Sequence, residues 1–189
     1  RGTHGACPME MSHASLLGIF RYVRDCFFDQ LGEESQLAKN INAMAQECGE
    51  MLSRQSDRDF PKTRFPSGIV RGKLMAKEHP GILLCLAAVL RSAKGRDLLL
   101  RKRKQQFPDE GFVGDWSQLF ETLLQWEQWL KSDRMEKHHV REAKEKHRAI
   151  MFFIKRVANR AEGMGLKIFK YHQILHVVDD IFQCRVPME

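Results

Sequence analysis

From Leu16 to Ala158 apolar residues recur at three- and four-residue spacing, interrupted where proline and glycine cluster. That period lays a stripe along one face of an α-helix, whereas a half-buried strand needs strict alternation. The chain is thereby restricted to an all-α fold, an irregular bundle of six to eight helices. The first helix runs from Ser12 or His13 to Leu31, burying Leu16, Leu17, Ile19, Phe20, Val23, Phe27 and Phe28, and Gly32 stops it. A second, Gln36 to Leu52, keeps the period through Leu37, Ile41, Met44, Ala45, Cys48 and Leu52.

The pattern breaks between Ser53 and Arg71, where Pro61, Pro66 and Gly68 stand among charges and Phe60, Phe65 and Ile69 are the strong anchors. This stretch is expected to be an extended connector packed on helices. It marks a candidate seam, within a single domain of residues 1–189, between an N-terminal helical pair and the main bundle. Met75 to Ala93 follows, apolar nearly all round from Ile82 to Leu90, so it is expected at the centre of the core. Pro80 kinks that helix or starts its main part, and Gly95 is expected to cap its far end. Leu98 to Leu100 prolong the helical pattern, and Phe107 to Gly114 reads as a loop. Asp115 is placed as the N-cap of a helix carrying Trp116, Leu119, Phe120, Leu123, Leu124, Trp126 or Glu127, and Leu130. The longest helix runs from Asp133 to about Arg160, with Val140, Ala143, His147, Ile150, Met151, Ile154, Val157 and Ala158 inward. After Gly163-Met164-Gly165 a last helix is expected from Ile168 or Tyr171 to Phe182.

With 189 residues, the chain can bury a large core without help from disulfides or metal. Its five cysteines, Cys7, Cys26, Cys48, Cys85 and Cys184, are scattered and odd in number, which implies no disulfide framework and fits an intracellular protein. The apolar run of Ile82 to Leu90 is far shorter than the roughly 20 residues that span a bilayer, so no membrane partner is expected. Both termini read as cuts through a longer polypeptide. The formal charge is +7, which favours a polyanionic partner.

Two histidines four apart on a helix project from one face and can share a metal ion, and His172 and His176 have that spacing. Glu10 and His13, three residues apart, offer a carboxylate and a further imidazole. Glu10, His13, His172 and His176 together match the donors of a four-coordinate zinc site, with Cys7 as an alternative ligand. A zinc-activated hydrolase is disfavoured, because Gln173 stands where a metalloprotease helix needs its glutamate base. One structural zinc ion is the better expectation. Asp179 and Asp180 are adjacent, so they diverge on a helix and are expected to be solvated or ion-paired. No phosphate-binding glycine loop, nucleophile elbow or cysteine-histidine dyad completes a catalytic set.

Two basic regions remain. Arg101, Lys102, Arg103 and Lys104 form a run that also suits a nuclear-localisation signal. Lys137, Arg141, Lys144, Lys146, Arg148, Lys155, Arg156 and Arg160 lie on the long helix against only Glu136, Glu142 and Glu145. Their excess fits contact with the phosphates of duplex DNA, which positions a protein without reading bases.

Several segments resemble eukaryotic cut-and-paste transposases of the RNase H-like DDE type, nearest the Plavaka and CACTA-like branch. Pro8-Met9-Glu10-Met11-Ser12-His13 resembles that branch's Pro-x-Asp-Met-x-His segment, followed by a helix start like Leu16-Leu17-Gly18-Ile19-Phe20. Arg58-Asp59-Phe60-Pro61 to Ile69 resembles its Arg-x-x-Pro, Phe and Gly-Ile element, and Lys77-Glu78 sits where its members carry an acidic helix. Lys170 to His176, with Asp179-Asp180-Ile181, resembles its Lys-x-His-x-x-x-His segment. The resemblance implies a helical insertion lying between the second catalytic Asp and the catalytic Glu, both outside this chain. It also implies zinc ligands at Glu10, His13, His172 and His176, although Glu10 replaces the usual Asp or Cys. The expected function is a transposon-derived helical domain that supports DNA transposition, binds DNA nonspecifically and does not cut it. Self-association and a nuclear location are further expectations. The alternative is a helical scaffold or protein-interaction module without nucleic-acid binding.

Overall fold

The computed structural model describes residues 17–32, 35–54, 61–66, 68–70, 74–103, 111–131 and 137–158, with backbone alone for 101–103, 130 and 137–141. Among the described residues the fold is all-helical. Its α-helices are α1 (Arg21–Leu31), α2 (Gln36–Leu52), α3 (His79–Arg91), α4 (Ala93–Arg103), α5 (Gly111–Leu130) and α6 (Lys137–Val157). A π-helical turn at 17–20 leads into α1, and a 3₁₀ turn, Ala76–Glu78, leads into α3. No described helix is long and apolar enough to cross a membrane. The helix expected near residues 168–182 lies outside the described residues.

Helix α3 is the central element, packed by α2, α4 and α5, and Ile82, Leu83, Cys85 and Leu86 are wholly buried. Pro80 sits in its first turn, where its missing N–H costs no hydrogen bond, so it starts the helix rather than kinking it. Helices α1 and α2 end and begin as their sequence signals indicate. Gly32 closes α1 at φ +77°, its N–H donating to the Asp29 carbonyl, and the Ser35 hydroxyl accepts from the Ala38 N–H at the start of α2. Residues 61–65 then thread as an extended strap between α2 and α3. A Cβ on Gly49 would lie 2.3 Å from the Thr63 carbonyl oxygen, and one on Gly81 would lie 1.9 Å from that of Lys62. Both helices need a glycine for the strap to pass. Beyond it, Phe65 and Ile69 are buried in the common core.

Three expectations about the middle of the chain are corrected. Gly95 does not cap α3; it lies inside α4, where a Cβ would stand 2.1 Å from the Val89 carbonyl oxygen. The break falls at Ser92, in extended backbone, and its hydroxyl serves both helices: it donates to the Val89 carbonyl and accepts from the Gly95 N–H. Residues 111–114 are helical rather than part of a loop, and Asp115 is therefore inside α5 rather than its N-cap. Burial explains the earlier start: Val113 is in the core, and Phe112 stacks on Phe27 at 6.3 Å between ring centroids. That packing outweighs the weak helix propensity of Gly111 and Gly114.

Phe27 is the hub joining α1 to α5, edge-on to both Trp116 and Phe120. The same pair of helices positions α6. The Gln30 amide accepts from Trp116 Nε1 and donates to the Val157 carbonyl at 3.1 Å, and the Tyr22 hydroxyl donates to the Ala158 carbonyl at 2.7 Å. Two carbonyls left over at the C-terminal end of α6 are thus satisfied by α1.

Candidate nucleic-acid interface

Helix α6 is strongly two-sided. Ala143, His147, Ile150, Ile154, Val157 and Ala158 are buried, while Glu142, Glu145, Lys146, Arg148, Ala149, Phe152, Lys155 and Arg156 are exposed. On the outward side the cations are not spread evenly. Arg148 and Lys155 are two turns apart, and Lys144 stands one turn before Arg148, so these three share one flank. The helix positions of Lys137 and Arg141 continue the same four- and three-residue spacing. Arg148 and Lys155 are exposed and have no ion-pair partner among the described residues, whereas Lys144 is half-buried and engaged within the fold. Arg156 is also committed internally: its guanidinium donates to Asp115 at 2.8 Å and lies 5.1 Å from the Phe153 ring centroid. Arg101, Lys102 and Arg103 form the last turn of α4, and Lys104 lies outside the described residues.

Between α5 and α6 runs a groove of about 530 Å³. Gln118, Thr122, Gln125 and Lys146 line it together with the aromatic residues Trp129 and Phe153, and the Thr122 hydroxyl donates to the Gln118 carbonyl at 2.7 Å. Beneath it, His147 is almost fully buried and edge-on to Trp126, with ring centroids 5.3 Å apart. Neither ring nitrogen of His147, nor the Trp126 indole N–H, has a hydrogen-bond partner among the described residues. Burial lowers the His147 pKa to about 4, so the imidazole is neutral at physiological pH.

A second polar cluster lies where the strap meets α3. Glu78, buried, accepts from Lys62 Nζ at 2.7 Å and from the Met75 N–H at 2.7 Å. Burial pushes its carboxyl up, but those hydrogen bonds and the Lys62 charge together hold its pKa below the ordinary value. The neighbouring His79 is lowered to about 4 by burial and by the Arg24 and Arg21 charges. Glu78 is therefore an ionised carboxylate with one oxygen holding Lys62 of the strap and the other capping the 3₁₀ turn at Met75, a structural role for both. The Cys48 and Cys85 thiols hydrogen-bond one another, and burial raises both pKa values, the condition of unreactive core thiols.

The proposed zinc ligands Glu10, His13, His172 and His176, with Cys7, lie outside the described residues, as do Asp179 and Asp180. Among the described residues no group of three or more His, Cys, Asp or Glu side chains is placed to hold a metal ion. Sequence reasoning found the basic flank of α6 but missed the groove and Phe152. The signal for Phe152 was present, since it falls opposite Ile150, Ile154 and Val157 on the helix; the groove depends on how two helices separate and has no sequence signature. Comparison with protein-family models, with curated proteins and with solved structures gives no match.

Proposed function

We propose that this chain is a helical DNA-contacting domain of a transposase-like protein, a supporting element rather than the cutting centre. The observation that carries the reading is the cationic flank of α6, presented by a helix whose other side is buried and whose C-terminal end is tied to α1. Rigid, exposed cations at helical spacing suit the regular charge of a phosphate backbone. The resemblance of the Glu10–His13 and His172–His176 segments to DDE transposases supports the same reading and adds one structural zinc ion on those residues.

Arg148→Gln with Lys155→Gln tests it. Binding to duplex DNA of arbitrary sequence should weaken about equally for all sequences, and the dependence of log affinity on log salt should flatten by roughly one unit for each phosphate no longer neutralised. Unchanged affinity and slope would remove this face from the interface. Absence of duplex binding by the parent chain at low salt would favour the scaffold reading.

A further inference from the structure

Exposed phenylalanine is costly in water, and Phe152 is 71% exposed in the middle of the basic side of α6. It lies one turn after Arg148 and just under one turn before Lys155, both exposed cations with no ion-pair partner among the described residues. Residues 146–158 contain no Asp or Glu, so the positive excess lies in the C-terminal half of the helix, with Glu145 one turn before Arg148 as the nearest acid on α6. On the other flank of Phe152, the small side chain of Ala149 leads to the groove containing Trp129 and Phe153. Across the helix surface the order is thus cations, an exposed ring, a low step, and a groove lined by polar residues and two more aromatic ones.

In duplex DNA the base faces are already stacked on one another, so a ring reaches them only by wedging a step open at the cost of unstacking. An unpaired strand needs no such opening: its phosphates follow cations while each base offers a flat face to an aromatic side chain. The groove volume falls within the roughly 300–1,000 Å³ of small-ligand sites, and the side-chain amides of the lining residues Gln118 and Gln125 carry the donor and acceptor types that a base edge requires.

We propose that the C-terminal half of α6 and the α5/α6 groove form a binding site for unpaired nucleotides: phosphates on Arg148 and Lys155, one base stacked on Phe152, and the next base held in the groove. The inference rests on the nucleic-acid reading above and specifies the form of nucleic acid.

The test compares a labelled single-stranded oligonucleotide with its duplex, and follows 2-aminopurine fluorescence within the single strand. Phe152→Ala should weaken single-strand binding on the order of ten- to hundredfold and abolish the fluorescence change, while duplex binding stays as in the parent. Phe152→Trp should restore both. Arg148→Gln with Lys155→Gln should weaken single strand and duplex alike. Single-strand affinity unchanged in Phe152→Ala overturns the stacking proposal and leaves the basic-face reading standing; failure of the parent to bind either form overturns both. Concentration-dependent self-association that Phe152→Ala abolishes, with single-strand binding intact, would assign the ring to a contact between copies of the chain and also overturn the proposal.

Discussion

His147 shows how one residue carries both structure and a measurable signature. Its position on the apolar side of α6 marks it as inward-facing, but only the packed structure shows that neither nitrogen finds a partner among the described residues. Such a ring acts as a poor hydrophobe, costing the desolvation of two polar atoms without the return of a hydrogen bond. Its pKa falls from an ordinary 6.5 to about 4, as does that of His79. A lowered folded pKa means that the unfolded chain binds more protons between those values. Stability contributed by the neutral rings is therefore fully present above about pH 6.5 and is lost as the pH falls toward 4. His147→Phe is expected to shallow that acid loss, measured by urea denaturation across pH 4 to 7, and to leave stability at pH 7.5 equal or higher by about 1 kcal/mol. An acid limb unchanged in the variant would mean that burial does not lower the His147 pKa in solution.

At the scale of elements, helix ends were easier to read than helix junctions. Gly32 and Ser35 are a stop and a start that act through their own backbone and side chain, so α1 and α2 end and begin where local chemistry directs. The α3/α4 junction and the start of α5 follow contacts from beyond the local turn instead. Gly95 is required by the approach of the Val89 carbonyl, and Phe112 and Val113 extend α5 because α1 supplies Phe27. Gly114 meets no neighbour: a Cβ there would have nothing within 4 Å, and the residue is exposed inside a helix. Gly114→Ala is accordingly expected to raise stability by about 0.5–1 kcal/mol in thermal or urea denaturation. A drop in stability would show that the first turn of α5 is not helical in solution.

For the whole molecule, the charge of +7 and the helical period describe a basic all-α chain before any coordinates are known. They do not say where the charge is useful. Arg156 and Lys155 are neighbours in sequence, yet the fold gives the first to Asp115 and Phe153 and leaves the second facing water. The zinc proposal is a statement about both ends of the chain at once. Protein purified without chelator should carry one zinc per chain by elemental analysis, falling to well below half in His172→Ala with His176→Ala, whereas a zinc-free parent would exclude the site. What could be determined from sequence was local: helix period, the apolar heart of α3, the stop at Gly32, and the cationic spacing of α6, each depending on residues within a few turns. The strap between Gly49 and Gly81, the groove beside Trp129 and the unpartnered nitrogens of His147 arise where elements distant in sequence meet. Their chemistry depends on distances between backbones, and those are decided only when the whole core packs.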